Sequence, residues 1–233
     1  MDETLLLMPG LLCDGRLWRD QIAALSGRVQ PVVADLASDD SLDAMACRAL
    51  DAVQGRFALC GLSMGGYAAL AVLRLAPHRV TRLCLMDTSA RPDSPVQSRR
   101  RRGLMALTAR SRFRGVTPRL LPQLLHPDRL SDAVLCAEIM AMADRVGQAA
   151  FLRQQHAILH RPDSRPDLAR IGVPALVAVG SGDALTPPEL AEEMAERIPG
   201  AVLRIIPDAG HLPPLETPPA VNELLRGWLD DAL

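Results

Sequence analysis

A short motif around one serine constrains the fold of this 233-residue chain more than any other stretch. The motif is Gly61-x-Ser63-x-Gly65, with an apolar run at 57–60 before it and another at 67–73 after it. The first run predicts a buried strand and the second a helix, which is the setting in which such a motif forms a sharp turn. Side chains two residues from the serine would collide in that turn, so both positions are glycine. The motif therefore predicts a serine hydroxyl held clear of a sheet, in front of a helix N-terminus that favours negative charge.

The rest of the chain alternates between strand-like and helix-like apolar patterns. Six short apolar runs predict strands at 4–8, 29–34, 56–60, 80–86, 174–179 and 201–206. Pro31 places the second of them near a sheet edge, because proline cannot donate to a central ladder. Ser41 predicts the start of one helix, and Thr186 with Glu189 predicts a capping box at the start of another. The alternation predicts an α/β fold with a mostly parallel, six-stranded sheet and helices on both faces.

Residues 91–165 interrupt this alternation, because they contain several helical stripes and no convincing strand. The whole length suits one well-buried α/β domain and is short for two. We therefore expect a single domain over 1–233, in which 91–165 form a helical lid between core segments 1–90 and 166–233. Residues 91–165 are called the inserted segment below.

Charge and composition exclude several kinds of site and partner. The formal net charge is −1, which suits no particular polyanionic partner. The chain has no lysine, so neither a lysine Schiff base nor a Walker-type phosphate loop can form. The five cysteines are scattered without a CxxC pair, which is typical of buried thiols in a reducing compartment. No apolar run approaches the roughly 20 residues that span a bilayer, and no basic leader is present, so we expect a cytoplasmic protein with no membrane partner.

Ligands of parallel α/β sheets bind outside the carboxyl ends of the strands. Reactive side chains directly follow three of the predicted strands: Ser63 the third, Asp183 the fifth and His211 the sixth. A loop that contains Gly10 follows the first strand. Asp87 follows another strand and is the alternative to Asp183 as the acidic member. The chain order is serine, then aspartate, then histidine, which is the order found in α/β-hydrolases.

The chain resembles the α/β-hydrolase superfamily along essentially its whole length, and is most similar to compact, lidded bacterial members such as enol-lactonases and small carboxylesterases. The matching stretches are Gly-Leu-Ser63-Met-Gly-Gly, Gly-Ser-Gly-Asp183 and Gly-His211-Leu-Pro-Pro-Leu-Glu-Thr-Pro. The resemblance implies that the leading β-hairpin of many relatives is missing, because the chain begins at what would be their third strand. The His-Gly that commonly precedes the oxyanion loop is Pro9-Gly10 here, a departure that concerns the geometry of that loop.

This resemblance implies a cofactor-independent serine hydrolase that cleaves a small carboxylic ester or lactone through an acyl-enzyme, with no metal ion. Ser63 would be the nucleophile, His211 the base that takes its proton, and Asp183 the residue that orients the imidazole. The resemblance also implies that the backbone N–H groups of Leu11 and Met64 form the oxyanion hole.

Apolar side chains close to these groups indicate an acyl pocket. Its predicted members are Leu12, Leu185, Leu212 and His156. The leucines also suit ordinary packing, and His156 also suits the surface. His156 and His160 share a helix face, but no third ligand accompanies them, so no metal site is predicted.

The inserted segment is rich in arginine and has no acidic residue between Asp93 and Asp128. The eight arginines of this stretch are Arg99, Arg100, Arg101, Arg102, Arg110, Arg112, Arg114 and Arg119. A solvated basic face is the ordinary interpretation. The alternative is that one or two of them bind a substrate carboxylate, which arginine holds with two hydrogen bonds. Aromatic residues are nearly absent here, so no nucleic-acid partner is predicted.

Other activities use the same three side chains. A carbon–carbon bond hydrolase or lyase that acts on an acidic substrate, as in relatives from menaquinone synthesis, suits the arginines of the inserted segment. Transfer of the acyl group to an alcohol and perhydrolysis proceed from the same acyl-enzyme. A ligand-binding, receptor-like module is the alternative outside the enzymes. No oligomeric state is predicted.

Overall fold

One six-stranded sheet organises the molecule, and helices cover both of its faces. A computed structural model describes residues 3–232. The strands are β1 (Glu3–Met8), β2 (Val29–Val33), β3 (Phe57–Leu62), β4 (Val80–Met86), β5 (Ala175–Gly180) and β6 (Val202–Ile206). Their order across the sheet is β2-β1-β3-β4-β5-β6, and every neighbouring pair is parallel. The predicted α/β fold is confirmed, and Pro31 lies on an edge strand as predicted.

Helices follow most of the strands. The α-helices of the described residues are α1 (Arg19–Ala24), α2 (Leu42–Asp51), α3 (Met64–Leu75), α4 (Pro95–Arg110), α5 (Leu121–Leu124), α6 (Ala133–Leu159), α7 (Arg165–Leu168), α8 (Pro188–Arg197), α9 (Pro213–Glu216) and α10 (Pro218–Leu229). Short 3₁₀ helices occur at Gly15–Trp18, Pro77–Arg79 and Pro127–Arg129. Over residues 3–232, none of the helices combines the length and the apolar character that a membrane crossing requires.

The sheet is buried on both faces because successive side chains of a strand point into two different core layers. Leu6 and Leu59 lie in the layer that contains the buried faces of α2, α3 and α8. Leu5 and Ala58 lie in the opposite layer, together with the buried face of α10. Every residue of β3 is buried, and β3 lies between β1 and β4. The residue that follows β3 therefore emerges near the middle of the sheet edge.

The inserted segment lies between β4 and β5 and contains α4, α5 and α6. Among its described residues no strand occurs, in agreement with the sequence pattern. Gly147 interrupts α6 with a non-helical backbone (φ 77°, ψ 174°), so the helix has two halves. The second half contacts the loops after both β1 and β2 through Gln154.

Two predicted helix starts have different outcomes. Ser41 caps α2 as predicted, because its hydroxyl accepts the Ala44 N–H at 3.2 Å. The predicted capping box of Thr186 and Glu189 is wrong. The cap position of α8 is Pro187, and the Thr186 hydroxyl instead donates to Asp183 Oδ2 at 2.6 Å. Thr186 does not cap the helix because its hydroxyl donates to the buried Asp183 carboxylate, which needs hydrogen-bond donors.

We expect Gly65→Ala to lower the free energy of unfolding by about 3 kcal/mol or more. The added Cβ would lie 2.0 Å from the Met8 carbonyl oxygen, and a strand backbone cannot move aside as a flexible side chain can. Gly103→Ala on α4 is the matched control, because its Cβ would meet no atom within 4 Å. Alanine favours a helix over glycine by about 1 kcal/mol, so this variant should gain slight stability. Urea unfolding of both variants tests the difference, and equal stabilities would contradict it.

Candidate active site

Ser63 occupies a strained turn between β3 and α3. Its backbone has φ 55° and ψ −117°, a region that is unfavourable for residues with a side chain. Two hydrogen bonds hold the turn: the Ser63 N–H donates to the Met86 carbonyl at 3.0 Å, and the Thr88 hydroxyl donates to the Ser63 carbonyl at 2.7 Å. Gly61 and Gly65 face each other so closely that a Cβ on Gly61 would lie 2.4 Å from the Gly65 carbonyl oxygen. The predicted requirement for glycine at both positions is thus explained by backbone contact.

The structure brings Ser63, His211 and Asp183 together. His211 Nε2 lies 2.8 Å from Ser63 Oγ, and His211 Nδ1 lies 2.8 Å from Asp183 Oδ2. His211 and Asp183 are both buried. Three side chains that are far apart in the sequence therefore form one continuous chain of hydrogen bonds at the carboxyl edge of the sheet.

Asp183 is ionised at neutral pH. Its Oδ1 accepts the N–H groups of Leu185 (2.8 Å) and Thr186 (3.1 Å), and its Oδ2 accepts the Thr186 hydroxyl in addition to His211. Burial by itself raises the pKa of Asp183, but the charge and hydrogen bond of His211 and the Thr186 donors outweigh it and hold that pKa well below its usual value. An anion at this position favours a proton on His211 Nδ1, which leaves Nε2 free to accept the Ser63 proton.

Asp87 is a second buried carboxyl beside the same histidine. Polar atoms of Asp87, Asp183 and His211 all lie within 4.8 Å of one another. Asp87 Oδ1 accepts the Gly180 N–H at 2.8 Å, while Oδ2 has no hydrogen-bond partner among the described residues. Burial and the nearby negative charge of Asp183 raise the pKa of Asp87 well above its usual value. Asp87 therefore holds its proton more strongly than Asp183 does, which favours Asp183 as the acidic partner of His211.

Asp87, Asp183 and His211 are close enough together to bind one metal ion, but their ligand atoms are not all free to do so. Both ring nitrogens of His211 already take part in hydrogen bonds, one with Ser63 and one with Asp183. The raised pKa of Asp87 also makes it a poorer ligand for a cation, because a carboxyl must lose its proton to bind one. The donor set suits proton transfer better than metal binding.

The loop before Leu11 lies directly against Ser63. A Cβ on Gly10 would lie 3.5 Å from the Ser63 Cβ. Met64 is the first residue of α3, where backbone N–H groups have no partner inside the helix. Within residues 3–232, neither the Leu11 N–H nor the Met64 N–H donates a hydrogen bond to the protein. Two backbone donors beside Ser63 are therefore available for an oxygen atom of a ligand.

Glu216 is a buried residue that the sequence analysis missed. Its carboxylate accepts the N–H groups of Gly210 (3.0 Å), Leu212 (2.9 Å) and His126 (2.7 Å). The first two flank His211, so Glu216 fixes the loop that carries the imidazole. Glu216 is the last residue of the stretch Gly-His-Leu-Pro-Pro-Leu-Glu, which the sequence analysis singled out for its histidine. Only the fold shows that the glutamate side chain turns back to the histidine loop.

The four predicted pocket residues lie in different surroundings. Leu12 and Leu212 are buried, whereas Leu185 is 42% exposed. Leu12 packs in a small cluster with Ala143 and Phe151 of α6. His156 contacts the Asp40 carbonyl (2.9 Å) and the ring of His160, and is not brought together with Ser63.

A cavity of about 710 Å³ lies at the other end of the sheet. It is lined by residues such as Val80, the first residue of β4, and Val173, just before β5. Ser63 follows the last residue of β3, so strand direction places this cavity at the edge opposite the hydrogen-bonded group. It is not the site of the chemistry proposed below.

Comparison with known proteins agrees with this architecture. A family model described as "Alpha/beta hydrolase family" matches residues 5–224. The pimeloyl-acyl-carrier-protein methyl ester esterase of Nitrosomonas europaea is 26% identical over 228 residues, which cover 92% of this chain and 90% of that protein. A thermophilic esterase from Thermogutta terrifontis has a TM-score of 0.90 and 31% identity, covering 100% of this chain and 91% of its own. The enol-lactonase from Burkholderia xenovorans LB400 has a TM-score of 0.84 and 25% identity, covering 99% and 92%.

We expect Asp87→Asn to keep kcat within a few-fold and to stabilise the protein increasingly as the pH rises. Below about pH 3.9, the usual pKa of aspartate, the carboxyl is protonated in both the folded and the unfolded chain. Above it only the unfolded chain ionises, so the wild type loses stability until the pH reaches the raised native pKa. The gain from Asp87→Asn should therefore be larger at pH 7 than at pH 4, and urea unfolding at the two pH values measures it.

Asp183→Asn is the matched comparison and should behave in the opposite way. The native pKa of Asp183 is depressed, so its ionised form contributes stability above the unfolded pKa, and this contribution is lost as the pH falls through the native pKa. The variant should lose stability at pH 7 and lose kcat about 10⁴-fold. A large loss of kcat in Asp87→Asn together with normal kcat in Asp183→Asn would reverse the assignment of the two carboxyls.

Proposed function

Because the chain belongs to the alpha/beta hydrolase family, we propose that it is a serine hydrolase whose substrate is a small carboxylic ester or lactone. The observation that carries the proposal is the chain of two 2.8 Å hydrogen bonds from Ser63 through His211 to Asp183. The esterase and lactonase relatives support an ester or lactone over a carbon–carbon bond as the group that is cleaved.

In the first step Ser63 attacks the carbonyl carbon of the ester. A serine hydroxyl is a weak nucleophile until a base removes its proton. His211 Nε2 accepts that proton as the new C–O bond forms. Asp183 holds the imidazole in the required tautomer and stabilises the imidazolium that results.

The carbonyl oxygen becomes negatively charged in the resulting tetrahedral intermediate. We assign the free N–H groups of Leu11 and Met64 as the donors that receive this charge. Met64 lies at the N-terminus of α3, where the helix dipole also favours an anion. Such a donor typically contributes about 3 kcal/mol to lowering the barrier.

Release of the products completes the cycle with the same groups. His211 gives its proton to the departing alcohol oxygen as the ester C–O bond breaks, which leaves the acyl group on Ser63. A water molecule then loses a proton to His211 and attacks the acyl carbon. Collapse of this second intermediate returns the proton to Ser63 and releases the carboxylic acid.

The inserted segment is proposed to act as the lid of this site. It already touches the histidine loop, because the His211 N–H donates to the Leu124 carbonyl at 2.9 Å and the His126 N–H donates to Glu216. Leu12 and Leu212 are proposed to line the acyl pocket. A cytoplasmic location is part of the proposal, because all five cysteines are free thiols, as expected in a reducing compartment.

An ester that carries a negative charge is the second candidate, and the arginines of the inserted segment favour it. Arg101 binds Asp93, whose side chain is 1% exposed, at 2.8 Å, and Arg161 binds the same carboxylate at 2.5 Å. The other seven arginines of the basic stretch form no ion pair with the described residues. These seven arginines are exposed, so their guanidinium groups are accessible to a substrate carboxylate.

Ser63→Ala should lower kcat on an activated short-chain ester by about 10⁶-fold. The variant lacks the nucleophile but keeps the fold, so its thermal unfolding should match that of the wild type. Ser26→Ala, which removes an exposed hydroxyl, is the control and should keep full activity. Ester turnover by Ser63→Ala at a near-normal rate would remove the proposed mechanism.

A carboxylate-bearing ester should have a kcat/KM at least about 10-fold above that of its neutral analogue, because a ten-fold preference needs only one good ion pair. Replacing Arg112 and Arg114, two exposed arginines of the inserted segment, with glutamine should reduce this preference, whereas Arg204→Gln, an exposed arginine on β6, should not. Rates measured for the two esters at low ionic strength test the prediction. Equal kcat/KM values in the wild type would contradict the charged-ester candidate.

A further inference from the structure

We infer that Gln154 is a positioning residue for the oxyanion site, and that it acts through the backbone of Leu12. The inference rests on the proposed function, because it concerns the stabilisation of the tetrahedral intermediate by the Leu11 N–H. Gln154 lies on the second half of α6 and is 1% exposed.

The side-chain amide of Gln154 joins two loops at the carboxyl edge of the sheet. Its Oε1 accepts the Leu12 N–H at 3.1 Å, in the loop after β1. Its Nε2 donates to the Leu36 carbonyl at 3.1 Å, in the loop after β2. One contact needs an acceptor and the other a donor, so the pair fixes the orientation of the amide. Both contacts are buried, where an unpaired polar group is costly.

The direction of the Leu11 N–H depends on the peptide groups on both sides of Leu11. The Gly10 carbonyl belongs to the same peptide group as the Leu11 N–H, and it accepts the Cys13 N–H at 3.1 Å. The next peptide group carries the Leu12 N–H, which Gln154 holds. Leu12 has φ 59°, a left-handed conformation that leucine adopts only when its surroundings impose it. Without Gln154 the Leu12 N–H loses its only protein acceptor among the described residues, and this peptide group keeps only the weak contact of Cys13 Sγ with the Leu11 carbonyl at 3.6 Å.

Other contacts keep α6 in place when Gln154 is changed. Arg153 donates to the Ala37 carbonyl at 2.8 Å, on the same loop as Leu36. Arg145, on the first half of α6, binds Asp14 at 2.6 Å. Neither contact involves the Leu11 or Leu12 peptide groups. A substitution of Gln154 should therefore loosen the oxyanion loop without detaching the helix.

The test compares Gln154→Met with Gln148→Met. Methionine has a similar length but neither accepts nor donates as an amide does. Gln148 is on the same helix and donates to the Thr108 carbonyl at 2.9 Å, so its substitution removes a similar hydrogen bond that involves neither the Leu11 nor the Leu12 peptide group. We expect Gln154→Met to lower kcat by about 10-fold to 100-fold, less than the loss of an oxyanion donor itself, with KM within about 3-fold. Gln148→Met should keep kcat within about 2-fold.

A second readout separates positioning from a purely structural role. The affinity for a trifluoromethyl ketone analogue, which adds to serine and carries an oxyanion, should fall in Gln154→Met by about the same factor as kcat. Gln154→Glu keeps the acceptor for the Leu12 N–H, so its kcat should lie between those of the wild type and Gln154→Met. Should Gln154→Met fail to fold, Gln154→Glu carries the test, with an expected 3-fold to 10-fold loss of kcat, on the scale of a partly displaced donor.

Several outcomes would overturn the inference. A folded Gln154→Met variant with the kcat of Gln148→Met shows that Leu11 is positioned without Gln154. Equal losses in Gln154→Glu and Gln154→Met show that the Leu36 contact, not the Leu12 contact, is the one that matters. Loss of thermal stability with unchanged kcat and unchanged analogue affinity indicates a structural role alone. A wild-type protein without Ser63-dependent hydrolysis contradicts the proposed function itself, and this inference with it.

Discussion

The strained turn at Ser63 is the constraint on which the rest of the structure depends. A residue with φ 55° and ψ −117° costs about 1 to 3 kcal/mol and persists only where its surroundings impose that conformation. Here β3 is buried in the middle of the sheet, α3 packs directly against it, and Thr88 holds the Ser63 carbonyl at 2.7 Å. The apolar core thus offsets a local strain whose effect is to project one hydroxyl toward His211.

Two buried carboxyls beside one histidine divide their roles through their hydrogen bonds. Asp183 receives four donors and its pKa is held low, whereas Asp87 receives only the Gly180 N–H and its pKa is raised by burial and by the charge of Asp183. Two negative charges this close together would repel strongly, so the ionised form of Asp87 is disfavoured beside the anion of Asp183. Asp183 is consequently the better-stabilised anion and the one that aligns the imidazole. Glu216 adds to this order by fixing the backbone on both sides of His211.

Part of this organisation could be predicted from the sequence, because it depends on local patterns and on strand direction. Ser63, Asp183 and His211 each follow a strand, so a parallel sheet brings them to one edge. The role of Thr186 was not predictable in the same way. Its local pattern indicates a helix cap, and only the fold reveals that its hydroxyl donates a hydrogen bond to the buried Asp183 carboxylate. Gln154 shows most clearly what the sequence does not reveal. It binds a backbone group 142 residues away, and the pattern of apolar residues along the chain gives no indication of such a contact.

The central claim is that the hydrogen-bonded group makes the Ser63 hydroxyl a nucleophile, and labelling with a fluorophosphonate tests it most directly. Phosphonylation needs the same deprotonation of serine and the same stabilisation of a developing oxyanion as ester cleavage does. Mass spectrometry of the digested protein should find one adduct, on Ser63, and none after His211→Ala substitution at equal reagent exposure. Absence of an adduct from the folded wild-type protein, or an adduct on another residue with Ser63 unmodified, would contradict the account.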